Sequence, residues 1–169
     1  MAFVKPNRQL FPARDHDHQG CITEALNRAS AICAGRGARL TAQRRRVLEL
    51  VWSGHRPLGA YDILEALGAK GTRVAPPTVY RALEFLREHG LVHRLESLNA
   101  YVGCCASDEA GHAGQFLICR DCGVAAEIAD DRIESAIRDS AAAAGFTIAR
   151  PTIEIEGLCP HCRTSTHNP

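Results

Sequence analysis

Aromatic residues make up only 5% of this 169-residue chain. Its cores must therefore be built mainly from Leu, Ile, Val and Ala. No apolar run approaches the roughly 20 residues that span a bilayer, which excludes a helical membrane protein. Residues Met1 to Gly20 lack the apolar core of a targeting signal. They are polar, hold Pro6, Pro12, His16 and His18, and read as a flexible arm. The expected location is therefore cytoplasmic. Internal repeats and long low-complexity segments are also missing, and no nucleophile motif appears. The expectation is a protein that is not an enzyme and has no small-molecule substrate.

Net charge is nearly absent as well, at +1, but two unlike halves produce that sum. Residues 1–98 carry 15 Lys and Arg against 9 Asp and Glu, whereas residues 99–169 carry 5 against 10. A basic half beside an acidic half suggests a polyanion partner on one side only.

Cysteine is plentiful, with eight in all. In a chain without a secretory signal, cysteines more often bind metal or do redox work than form disulfides. Cys119-Arg-Asp-Cys122-Gly and Cys159-Pro-His-Cys162 are the most informative. Two intervening residues let both sulfurs turn toward one point from a tight knuckle. A second knuckle completes a tetrahedron of thiolates, which Zn²⁺ accepts without geometric penalty. A thioredoxin-like redox pair is the alternative for one Cys-x-x-Cys, but two pairs favour structural zinc. His161 lies within the second knuckle and faces solvent on this reading.

Apolar periodicity organises the rest into an α+β fold: a winged helix, which is a helix-turn-helix variant, followed by a small α/β domain with a four-cysteine zinc site, whose edge strand and apolar helix face suit dimerisation. Ile22, Ala25, Leu26, Ala29 and Ile32 mark a helix over about 20–34. Thr41 caps a second helix, with Val47, Leu48 and Val51 on one face and Gly54 as its stop. Ile63, Leu64 and Leu67 mark a third over 60–67. Pro76-Pro77-Thr78 opens a fourth, whose stripe is Val79, Ala82, Leu83 and Leu86 and which Gly90 ends. Residues 91–95 and 100–102 then read as a hairpin. Further strands are expected at 115–118, 124–128 and 146–155, with a helix over 130–144 bearing Ile133, Ala136, Ile137 and Ala141. The expected division is an arm over 1–19, a winged-helix domain over 20–105, a hinge over 106–114, a dimerisation and metal-binding domain over 115–163, and a tail over 164–169.

Several stretches resemble the ferric uptake regulator family: Leu40-Thr41-Ala42-Gln43-Arg44, Ala60-Tyr61-Asp62-Ile63-Leu64, Pro77-Thr78-Val79-Tyr80-Arg81-Ala82-Leu83 and the two knuckles. The resemblance spans about residues 20–163. The stretch from Val92 through Cys104, with His112 and Glu127, is most similar to the zinc-sensing subgroup. It implies two zinc ions per protomer: a structural one on Cys119, Cys122, Cys159 and Cys162, and a regulatory one on His93, Cys104, His112 and Glu127. Two imidazoles, a thiolate and a carboxylate suit four-coordinate zinc, and the thiolate disfavours Mn²⁺. Iron-sensing members carry a His-His-Asp-His-like cluster where this chain has Gly111-His112-Ala113-Gly114-Gln115, which also disfavours an octahedral site. Cys105 remains an alternative to Cys104. Cys21 and Cys33 read as structural, and His16, His18 and His167 as weak metal ligands at most.

The resemblance also implies a homodimer that binds palindromic double-stranded operator DNA when loaded with zinc and represses zinc-uptake genes. Arg81 suits a bidentate contact with guanine, and Thr78 and Tyr80 suit phosphate or a thymine methyl. Tyr61 is a further contact by resemblance, and Arg44 leads a triplet suited to phosphates. The competing readings are another metal- or peroxide-sensing regulator of this family, a zinc-stabilised protein-binding adaptor, and an enzyme, either a zinc hydrolase or a thiol oxidoreductase.

Overall fold

The computed structural model describes residues 10–11, 18–69, 74–105, 114–149 and 151–165. The chain divides into two compact units, one spanning 13–110 and the other combining 111–169 with 1–12. Most of the expected hinge (106–113), His16, His112 and His167 lie outside the described residues.

The first unit contains α1 (His18–Gly35), α2 (Ala42–Val51), β1 (Leu58–Gly59), α3 (Ala60–Gly68), α4 (Pro76–Glu88), β2 (Val92–Leu95) and β3 (Ala100–Gly103). The strands form one antiparallel sheet in the order β1-β3-β2, with His93 opposite Val102. This is a winged helix. Its two-residue β1 was not anticipated, being too short to show a period.

Each helix turns its apolar stripe to a single core. Ala29, Val47, Leu48, Ile63, Val79, Leu83 and Leu86 are buried in one cluster with Leu91 and Val92. Burying one such Leu, Ile or Val contributes roughly 1.5–3 kcal/mol, so the stripe decides which face of α4 is left for solvent. The helix ends follow from local chemistry. Thr41 Oγ1 accepts from the Arg44 amide at the start of α2, and the Asp62 carboxylate accepts from the Gly59 amide at 2.9 Å before α3. Gly90, at φ +68, turns the chain out of α4 so that the Leu91 amide reaches the Leu86 carbonyl at 2.8 Å. That left-handed turn is what glycine permits without a Cβ clash.

The second unit contains β4 (Gly114–Cys119), β5 (Ala125–Ile128), α5 (Asp131–Ala143), β6 (Thr152–Gly157) and α6 (Pro160–Ser165). The sheet order is β5-β4-β6, with β5 antiparallel and β6 parallel to β4. Phe116 is buried on the central strand. The buried Gln115 donates from Nε2 to the Asp130 carbonyl at 3.2 Å, tying β4 to the N-cap of α5. The strand expected over 146–155 is shifted to 152–157. Phe146 instead completes the C-terminal turn of α5, its amide donating to the Ala141 carbonyl at 2.8 Å, and its side chain is exposed.

The apolar face of α5 is only partly covered among the described residues: Ile133 and Ala141 are half-buried, and no residue of the helix is buried. Ile137, Phe146 and Ile155 are exposed. A groove of about 260 Å³ is lined by Ile137, Ile148, Pro151 and Ile153 together with the charged Glu134 and Arg138. No helix among the described residues is long and apolar enough to cross a membrane.

Candidate metal centres and nucleic-acid interface

The two cysteine knuckles meet in the second unit. Cys119 closes β4, Cys122 follows in the turn, Cys159 sits just past β6, and Cys162 lies in α6. Because β6 runs parallel to β4, both strands deliver their knuckles at the same end of the sheet. The four Sγ atoms lie within 4.8 Å of one another, and Cys122 Sγ is 3.7 Å from Cys159 Sγ. Thiolates about 2.3 Å from a central zinc stand about 3.8 Å apart in a tetrahedron, so the spacing fits zinc. Phe11, Val124 and Leu158 pack around the sulfurs.

Backbone amides prepare the cluster for a cation. The Cys159 amide donates to Cys119 Sγ at 3.3 Å, and the Cys162 amide to Cys159 Sγ at 3.4 Å. Burial pushes the Cys119 thiol up, but hydrogen bonds from the amides of Cys122, Cys159 and Asp121 outweigh it and bring the thiol down to about 6. Burial raises Cys122. Cys162 is pushed up to about 12 by burial and by its hydrogen bonds to Cys159, Cys122 and Cys119. One sulfur is thus ready as a thiolate, and a metal would displace protons from the more resistant thiols.

A second donor pair lies in the first unit. His93 is half-buried on β2, and Cys104 is buried immediately after β3. Strand pairing brings the two together, with a ring nitrogen and Sγ within 4.8 Å. Cys105 is exposed to solvent. Glu127 is half-buried on β5 of the second unit, opposite Phe116. An imidazole beside a thiolate is a donor set that zinc accepts and Mn²⁺ does not favour.

The face of α4 opposite its core stripe is open. Thr78, Tyr80, Arg81 and Glu84 are exposed on it, and Tyr61 at the start of α3 is 74% exposed. So exposed an aromatic ring contributes little to packing among the described residues. Arg44 is placed differently. Its guanidinium carbon lies 3.4 Å over the Phe85 ring and Nη1 donates to the Arg39 carbonyl at 2.6 Å. It therefore steadies α4 as well as adding charge. Arg45 is exposed, while Arg46 pairs with Glu49 at 2.6 Å. Of the other cysteines, Cys33 is buried in the helical core and Cys21 half-buried. The His18 ring lies tilted at 40° to that of His55, with centroids 4.9 Å apart. The packing of Phe11 against the knuckles has no signal in the sequence, since one aromatic in a polar arm shows no period.

Residues 35–156 match the model of the ferric uptake regulator family. The zinc uptake regulation protein of Escherichia coli is 42% identical over 139 residues, 82% of this chain and 81% of that protein. The zinc uptake regulation protein of Mycobacterium tuberculosis is 30% identical over 131 residues, 76% of this chain and 97% of its own. A solved structure of a zinc uptake regulator complexed with zinc and DNA superposes with a TM-score of 0.82 at 39% identity. It covers 87% of this chain and 98% of the solved one.

Proposed function

The chain belongs to the ferric uptake regulator family, and from that membership we propose that it is a zinc-responsive transcriptional repressor of zinc-uptake genes. Cys119, Cys122, Cys159 and Cys162 hold a structural zinc, which ties the last helix of the chain to β4. His93 and Cys104 hold a regulatory zinc together with His112 and Glu127, giving two ions per protomer. The observation that carries this reading is the approach of the Cys104 thiol to the His93 ring on the wing. That soft donor set belongs to the same unit as α4, so metal occupancy and DNA reading share one rigid core.

Tyr61, Thr78, Tyr80 and Arg81 read the operator, with Arg81 directed at guanine and the others at phosphate, sugar or thymine methyl. Arg44 anchors α4 and adds charge toward phosphate. Two copies reading one palindrome require a dimer. Support for a homodimer comes from the second unit, whose edge strand β6 carries the exposed Ile155 and whose α5 has no buried residue. The protein acts in the cytoplasm, where its operator lies, and performs no chemistry on its partner.

The regulatory ion works by shifting a population. Driving a two-state equilibrium from about 1:99 to 99:1 needs roughly 5.5 kcal/mol of differential binding, a magnitude that exchange of four protein ligands for water can supply. The test is retention of genomic DNA fragments by the purified protein in separately buffered free Zn²⁺, Fe²⁺ and Mn²⁺. Retention of palindromic fragments only as free zinc rises is the expected result. Retention at lower free iron or manganese would overturn the zinc assignment, and no retention with any metal would overturn the repressor.

A further inference from the structure

Cys104 is held by its backbone on both sides. Its amide donates to the Leu91 carbonyl at 3.1 Å. Its carbonyl accepts from Nη2 of Arg28, a residue of α1 that lies 76 positions earlier in the chain. The half-buried Arg28 guanidinium also lies 5.8 Å from the centroid of the Trp52 ring. Trp52 caps α2 and packs against the backbone of Gly103 so closely that a Cβ there would stand 2.2 Å from Cε2 and 2.4 Å from Nε1. The strand that leads into Cys104 is thus clamped by an indole on Gly103 and a guanidinium on the next carbonyl.

We propose that Arg28 and Trp52 are positioning residues for the regulatory zinc, holding Cys104 so that its sulfur faces His93. The inference rests on the assignment of His93 and Cys104 as ligands and adds the groups that aim them. Zinc–sulfur bonds tolerate only about ±0.2 Å, so a carbonyl released from Arg28 lets the backbone before the sulfur rotate and spoils the ligand. Partners outside the ligand shell typically change metal affinity by about 10–100-fold when removed. A buried carbonyl also needs a donor for stability alone, so the test must read the metal rather than the fold. Trp52 offers that readout: it is the only tryptophan of the chain, and its indole ring packs directly against the residue before Cys104.

The experiment uses the full chain with its four-cysteine zinc in place and titrates a second equivalent of Zn²⁺ or Co²⁺ into the wild type, Arg28→Ala, Arg28→Lys and His93→Ala. Wild-type helical circular dichroism and cooperative urea unfolding in every variant report an intact first unit, to which Arg28 and His93 belong. Arg28→Ala is expected to weaken the second ion about 10–100-fold and to reduce the thiolate-to-Co²⁺ charge-transfer band, with partial recovery in Arg28→Lys. Trp52 emission in the wild type is expected to change with the second equivalent and not the first. Wild-type affinity and an unaltered cobalt spectrum in Arg28→Ala would overturn the inference, as would Trp52 emission indifferent to the second ion. If Arg28→Ala does not fold, Arg28→Lys and the wild-type emission decide the matter. Should His93→Ala keep the second ion, the ligand assignment itself falls. Should His93→Ala lose it while Arg28→Ala keeps it, only the positioning role falls.

Discussion

Replacing Cys162 by Ala should unfold the second unit and leave the first one standing. Apart from its cysteines, the buried apolar side chains described in the second unit are Phe116, Ile118 and Ala126. The two large ones contribute about 3–6 kcal/mol together. Ordering the backbone costs roughly 1–2 kcal/mol per residue, so a strand-helix-strand unit with so few buried groups depends on other terms. A structural zinc contributes about 10–16 kcal/mol, more than the whole margin of an ordinary domain. Losing one of four thiolates removes much of that and leaves three sulfurs, two of them on buried residues, without their cation. The first unit has its own helical core and contains Trp52. Circular dichroism should therefore show partial loss of structure in Cys162→Ala, with Trp52 emission still native and proteolysis confined to residues beyond about 114. Chelation of zinc from the wild type should reproduce that loss of structure and that protease sensitivity, with Trp52 emission changing only as far as loss of the regulatory ion alone changes it. A Cys162→Ala protein with wild-type dichroism and protease resistance would refute the reasoning, because the packing of Phe116 and Ile118 would then suffice.

Arg81→Ala should cost about 1–3 kcal/mol of operator affinity and relax sequence preference at one base pair of each half-site, measured by binding to single-base operator variants. Leu83→Ala, at a position buried in the core of the first unit, should destabilise that unit by about 2–5 kcal/mol, read from urea denaturation followed by Trp52 emission. Ile155→Lys places a charge on the exposed edge strand β6 and should shift sedimentation from dimer to monomer while both units remain folded. An unchanged sedimentation coefficient would move the interface away from β6.

The features legible in the sequence were those in which spacing itself encodes geometry. Two Cys-x-x-Cys pairs mark two turns that each aim sulfurs at one point, and β4 and β6 bring those turns together as expected. The stripe of Val79, Ala82, Leu83 and Leu86 assigned the buried face of α4, and with it the open face bearing Thr78 and Arg81. Phe146 shows where local pattern misleads. An apolar residue near a run of Ile and Thr reads as the start of a strand, whereas its amide closes the last turn of α5 and Pro151 intervenes before β6. The apolar positions of α5 were legible too, but a period cannot say what will cover the face. Arg44 belonged to a basic triplet read as charge, and only the tertiary structure puts it over Phe85. Contacts such as Arg28 with Cys104, or Trp52 with Gly103, join segments far apart in sequence, and no local window contains both partners.

The same contacts bound how zinc and DNA can influence each other. Leu91 links α4, the proposed recognition helix, directly to Cys104, the proposed zinc ligand: its amide bonds to Leu86 in the last turn of α4, and its carbonyl accepts from Cys104. Each such hydrogen bond is worth about 0.5–1.5 kcal/mol net, so this path cannot supply the roughly 5.5 kcal/mol that a full switch requires. On the proposed function this path keeps the Cys104 sulfur and α4 in one frame, and the switching energy comes from the exchange of zinc ligands. Coupling between binding sites is reciprocal, so operator DNA must tighten the regulatory zinc by the same factor by which zinc tightens DNA. Loosening the frame should then weaken zinc in the free protein more than in the DNA complex, where α4 is held from the other side. Losing a ligand abolishes the coupling in both.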